Sequence, residues 1–294
     1  MKVKLALAAW ALFISAGLRA GTDDEKDSLG LPGDNLDLYG VMDLFKKATS
    51  LEEFEKALNT ESNHINNLDL NGDDEIDYIR VSDFTDSNAH AIILQVPVSA
   101  EESQDVAVIE LESPEQEKAY VQIVGDEELY GENYIVEPFE ESDDKSPLEK
   151  QIRVVVNVWA WPCVRFVYAP VYRPWVSPWK WRAYPNWWKP WRPVAWHIHW
   201  GHVRPYHAHF HRTYVYRGAR AHRYYHNHRV ASATVHARYA PAHQHHKAHH
   251  KAHHDKHKTN HKVKNQPKNE PARKADNRQK GGGGKSPGGK GKRK

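Results

Sequence analysis

The chain has 294 residues, with 41 Lys and Arg against 38 Asp and Glu, 21 His, 11 Trp and one Cys. The single cysteine, Cys163, excludes an intramolecular disulfide, and nothing in its surroundings supports a catalytic thiol. The net charge of +3 conceals a division: residues 1–150 carry 11 Lys and Arg against 35 Asp and Glu, and residues 151–294 carry 30 against 3.

Residues 1–20 read as an export signal, with Lys2 and Lys4 before an apolar run from Leu5 to Gly17 that is too short to span a bilayer. Leu18-Arg19-Ala20 then offers a cleavage site ahead of Gly21, so the protein is expected to be exported, periplasmic or at the cell surface or secreted. An uncleaved N-terminal anchor is the alternative, and the lack of a Cys after the site argues against a lipid anchor.

After a linker over 21–33, residues 34–138 read as one acidic domain. Leu38, Val41, Met42 and Phe45 recur at helical spacing, and Ser50-Leu51-Glu52-Glu53 supplies a capping box for a second helix that aligns Phe54, Ala57 and Leu58. From there the period changes to two, and IDYIRVSDF, AHAIILQV, DVAVIELE and KAYVQIVG predict four strands in an antiparallel meander. The fold class expected is α+β: two N-terminal helices packed on a four-stranded antiparallel sheet, followed by a largely irregular or disordered basic tail. That element order resembles small helix-hairpin-plus-sheet folds of the β-lactamase-inhibitor-protein type.

Between helices and sheet lies Asp69-Leu70-Asn71-Gly72-Asp73-Asp74-Glu75-Ile76-Asp77. Side-chain oxygens at positions 1, 3, 5 and 9, from Asp69, Asn71, Asp73 and Asp77, with the Glu75 carbonyl at 7, suit a hard cation such as calcium. The spacing resembles EF-hand and dockerin loops, but Asp74 replaces the usual Gly at position 6 and Arg80 the bidentate carboxylate at 12. A polar turn rich in Asn, Asp and Gly accounts for the same residues. The paired carboxylates Glu101-Glu102, Glu127-Glu128 and Glu140-Glu141 read as solvation, and 139–151 as an acidic linker.

The basic half opens at 152–240, a Trp-, Pro-, Arg- and His-rich region. Charges and prolines interrupt the apolar run from Ile152 to Val171, which favours extended chain over a membrane helix and leaves Cys163 as a small buried hydrophobe. In the next stretch Trp175, Trp179, Trp181, Trp187, Trp188 and Trp191 alternate with Arg173, Lys180, Arg182, Arg192 and repeated Pro. Indoles favour a membrane–water interface and guanidinium favours phosphate, so an anionic envelope surface is the partner this composition fits. Nucleic acid answers the same physics, and a protein core built from the tryptophans is the alternative. A solvated basic extension without a defined partner would also explain the charge, and acidic head and basic tail are free to associate with each other.

Two histidine arrays follow, within a span from His197 to His261 that holds 19 of the 21 histidines. His207, His209 and His211 would line one face of an extended strand. His245, His249, His253 and His257 would line one stripe of a helix, and both arrays predict chelation of zinc, nickel or copper. Residues 241–294 are expected to be a disordered His- and Lys-rich, then Gly- and Lys-rich tail. GGGGKS near its end lacks the phosphate-loop spacing, because Gln279 stands where that motif needs Gly.

LPGDNLDLY (31–39), NNLDLNGD followed by DYIRV (66–81), VQIVGDEELYG (121–131) and the Trp-, His- and Arg-rich tail from about Trp159 together resemble an uncharacterised group of exported bacterial envelope proteins. The resemblance implies an exported, modular protein and brings no activity with it; calcium stabilisation of the acidic domain is the expectation from the loop at Asp69–Asp77. No catalytic constellation is present, so the function expected is non-enzymatic: binding of lipopolysaccharide, glycan or lipid headgroups, with histidine-based metal binding or buffering as the alternative.

Overall fold

Helical periodicity at the start of the acidic half becomes α1 (Leu38–Lys47) and α2 (Leu51–Leu58) in the structure, a computed structural model. It describes residues 28–141 and 153–264, and for 141, 153, 154 and 249–264 the backbone alone. Asp37 caps α1 by accepting from the Gly40 N–H at 2.8 Å. Ser50 caps α2 by accepting from the Glu53 N–H at 3.1 Å, and Glu53 accepts from the Thr49 N–H at 2.8 Å, one residue before the usual capping-box partner. Both helices bury their apolar stripe, and Phe45 meets Phe54 edge to face at 5.4 Å.

The period-two segments form β1 (Arg80–Asp86), β2 (Ala89–Pro97), β3 (Ser103–Glu115) and β4 (Lys118–Gly125), each antiparallel to the next. The tight approach of α3 (Glu127–Tyr130) requires the glycine that ends β4: a Cβ on Gly125 would stand 2.5 Å from the Tyr130 ring. Here the expectation of four strands is corrected. The sheet continues through β5 (Ile135–Glu141) to β6 (Arg153–Val155), six strands in chain order, and β7 (Phe210–Thr213) also pairs with β5. The first residues assigned to an acidic linker are therefore strand; 142–152 lie outside the described residues.

Alternation along the strands gives the sheet two buried faces. Val81, Ile92, Leu94, Ile109, Leu111, Val121 and Ile123 face the main core with α1, α2 and α4 (Pro162–Val167), whose Cys163 is buried. Ala89, Ala91, Ile93, Val108, Val124 and Ile135 face a second cluster closed by Ala221 and Tyr225 of α6 (Ala219–His228). The basic half therefore supplies the cover for one face of the acidic half's sheet. It also covers an edge: Asp83 N–H donates to Trp175 O at 2.7 Å and Ser177 N–H to Val81 O at 3.0 Å, which lays 175–177 along β1.

The rest of the basic half is correspondingly less irregular than its composition suggests. α5 (Trp196–Val203) stacks Trp196 on Trp200 at 5.7 Å, and α7 (Ala233–Lys264) starts where Ser232 Oγ accepts from the Val235 N–H at 3.2 Å. The described residues up to His250 form one compact unit; the remainder of α7 belongs to a second that begins at Lys251. Among the described residues no helix is long and apolar enough to cross a membrane. The export signal and the residues after Lys264 lie outside them.

Candidate functional site

The acidic loop is a tight turn around its own backbone. Asp69 Oδ1 accepts from the Gly72 N–H at 2.6 Å, and its Oδ2 from the Asp74 N–H at 3.0 Å, which holds Gly72 (φ 74°) and Asp74 (φ 64°) left-handed. Asp73 accepts from the Glu75 N–H at 3.1 Å, and Asp77 from the Leu70 N–H at 2.6 Å. The Asn71 amide bridges Asp73 and Asp77, 3.1 Å from each. Burial, reinforced by the charges of Asp69 and Asp73, pushes the Asp77 carboxyl up to about 7. The carboxylates suit a cation in charge, yet their bonds serve the backbone and the Asn71 amide. The Arg238 guanidinium of α7 donates to Asn71 O beside them, and Tyr239 OH donates to Asp69 O at 3.0 Å.

The tryptophan segment lies against the acidic domain and is neither free nor wholly core. Trp188 is buried and meets Tyr78 edge to face at 5.1 Å; Trp175, Trp179, Trp181 and Trp191 are half-buried; Trp187 is exposed beneath the Lys56 ammonium. Its anchor is Glu55, which is buried and accepts from Trp175 Nε1 (3.1 Å), Ser177 Oγ (2.8 Å), Tyr78 OH (2.9 Å) and Val81 N–H (3.1 Å). Burial raises its carboxyl while these donors oppose the shift. Arg173, Lys180, Arg182 and Arg192, with Lys189, are all exposed, and no carboxylate of the described residues pairs with them.

The first histidine array does not form one face. Pro205 opens a 3-10 turn over Arg204–Ala208, so His207 and His211 sit on different elements and take different carboxylates. His207 reaches Asp37 at 2.7 Å while stacking on Tyr39, and His211 reaches Glu137 at 3.3 Å; His209 is exposed between them. In the second array His245 is exposed on α7, and the side chains of His249, His253 and His257 lie outside the described ones. Among the described residues no group of three or more His, Cys, Asp or Glu converges into a metal centre.

What the local sequence did not disclose is a run of charge pairs that fastens 207–243 to the acidic half. Arg217 forks onto Glu137 at 2.6 and 2.9 Å, and Arg229 forks onto Asp126, which also accepts from Tyr225 OH at 3.1 Å. Glu112 accepts from the Arg220 and Ala221 N–H groups at 2.6 and 3.1 Å, capping α6 from a strand more than a hundred residues away in sequence. His222 bonds Glu110 at 2.8 Å, and Asp105 and Val230 exchange two bonds at 2.8 and 2.9 Å. His236 and His243 both approach Glu128, at 2.9 and 3.2 Å, and Glu102 takes the Ser232 hydroxyl and the Thr234 N–H. Glu102 and Glu128, read as solvation, are thus anchors; only the abundance of acids at alternate strand positions, unmatched by local bases, signalled a distant cationic partner.

No protein-family model, no curated protein and no solved structure matches this chain. Its class therefore rests on its own geometry: an α+β protein in which the histidine- and arginine-rich segment up to His243 is docked on an acidic sheet.

Proposed function

We propose that this is a non-enzymatic exported protein that binds anionic envelope material, such as lipopolysaccharide, glycan or lipid headgroups, through the stretch from Arg165 to Ile198. The single observation that carries the reading is that Arg173, Lys180, Arg182, Lys189 and Arg192 are exposed with no carboxylate of the described residues paired to them, whereas Arg217 and Arg229 further along the chain are spent on the internal carboxylates Glu137 and Asp126. Phe166, Val171, Val176, Trp187, Val194 and Ile198 are exposed in the same stretch, and no Asp or Glu occurs anywhere in it. Cations able to meet phosphate or carboxylate, next to apolar groups able to enter a headgroup layer, suit an anionic interface. Calcium would have to draw Asp69, Asp73 and Asp77 together, because among the described residues no three such groups converge on a metal centre, and it would then stabilise the loop that leads into β1.

The test is tryptophan fluorescence of the full chain titrated with lipopolysaccharide, with anionic vesicles and with neutral vesicles. A blue shift on the anionic surfaces that high salt reverses is the expected result. Equal responses to neutral and anionic vesicles, or none to any of the three, would remove the reading; a response to lipopolysaccharide without one to either kind of vesicle would assign the ligand to its glycan and phosphate portion.

A further inference from the structure

We propose that His222 and His226 of α6 hold a divalent transition-metal ion of the zinc, nickel or copper class, in a cavity on the second face of the sheet. The site does not depend on the anionic-surface reading and lies outside both histidine arrays. Residues four apart on a helix are neighbours on one side of it, and an imidazole pair at that spacing suits these ions. Here the two rings stand side by side, with centroids 6.3 Å apart and planes 22° from parallel.

Three features separate this pair from the many other histidines. His222 Nδ1 bonds Glu110 Oε1 at 2.8 Å, and the Glu110 side chain is fully buried on β3, so the carboxylate fixes the ring and leaves Nε2 as the ligating nitrogen. A carboxylate behind a ligating imidazole sets its orientation and raises its basicity. Both rings line a cavity of about 280 Å³ together with Tyr216, Glu127, Glu132 and Asn133, which leaves room for an ion with bound water. Finally, His226 is exposed and forms no hydrogen bond to the described residues, so it is available to a ligand. Because no third His, Cys, Asp or Glu of the described residues converges with the pair, water completes the coordination and the ion is exchangeable.

The experiment is thermal unfolding of the full chain with zinc chloride and with chelator, in the wild type and in His226→Ala. Zinc held by other histidines shifts the two proteins alike, whereas a site made by His222 and His226 raises Tm in the wild type alone. A zinc-dependent rise in the wild type that is lost in His226→Ala, with equal Tm in chelator, is the expected result. Glu110→Gln should lower the zinc affinity, read from the concentration dependence of Tm, about 10- to 100-fold without abolishing binding. An equal rise in wild type and His226→Ala, or no rise in the wild type, overturns the proposal. Should His226→Ala be less stable without metal, His222→Asn keeps a donor for Glu110 and permits the same comparison.

Discussion

Two stretches of the basic half carry similar charge and use it in opposite ways. In 173–192 the cations point to solvent and the aromatic rings hold the chain to the acidic domain, with Glu55 gathering Trp175 and Ser177. In 207–239 the arginines and histidines themselves hold the chain, through Glu137, Glu110, Asp126 and Glu128. Burial explains the difference. Glu110, Asp126 and Glu137 lie on or beside a sheet face that α6 closes over, and a buried carboxylate without a partner is far costlier than an exposed cation without one.

The largest effect expected from this contrast is on stability. Arg229→Ala would leave the buried Asp126 carboxylate with neutral donors alone and should cost about 3 kcal/mol, whereas Arg192→Ala should change stability by less than about 0.5 kcal/mol. Urea unfolding of the two variants measures both. Similar values would break the distinction between the stretches.

A smaller, pH-dependent effect comes from the acidic loop. Asp77 is raised by burial to about 7, so between pH 4 and 7 the unfolded chain loses its proton while the folded chain keeps it. Stability in chelator should therefore fall as pH rises through that window and level off above it; Asp105, raised by burial to about 6, acts in the same direction over a narrower range. Asp77→Asn should flatten the upper part of the fall. Calcium favours the ionised carboxylate, so in calcium the wild type should melt higher at pH 8 and the fall should shrink. Identical melts with calcium and chelator would leave the loop as a polar turn neutralised by its own hydrogen bonds.

The parts legible in the sequence are those whose cause is local. Helical spacing with a capping box produced α1 and α2, and period-two runs produced β1 to β4, because periodicity and caps act within a few residues. β5 was hidden by its composition: Glu137, Pro138 and Glu140 look like linker, and Glu137 is neutralised by Arg217, eighty residues further on. On the polar side of β3, nothing near Glu110 and Glu112 in sequence announces that α6 will cover them. The tryptophans show the same limit, since their anchor Glu55 is 120 residues from Trp175. Of the candidate sites, the acidic loop was legible as a polar turn, whereas the histidine array at 207–211 does not form one face because Pro205 and two separate carboxylates set its geometry.

The smallest effect on stability, and the sharpest test of the exposed stretch, comes from replacing Arg173, Lys180, Arg182, Lys189 and Arg192 together by Gln. None of the five pairs with a described carboxylate, so the fold should lose less than about 1 kcal/mol in urea unfolding. Binding to anionic vesicles should weaken far more, since each basic group near such a surface contributes about 1 kcal/mol and full engagement of all five corresponds to more than a thousandfold. The indoles remain in place in this variant, held by Glu55 and by the packing around Tyr78. Binding that survives with its salt dependence would come from cations elsewhere in the chain, Arg165 and the Lys-rich tail included, whereas binding that survives and is insensitive to salt would come from the rings and the exposed Val171 and Val176. Binding lost along with its salt dependence would assign the interaction to the cations that the acidic half leaves unpaired.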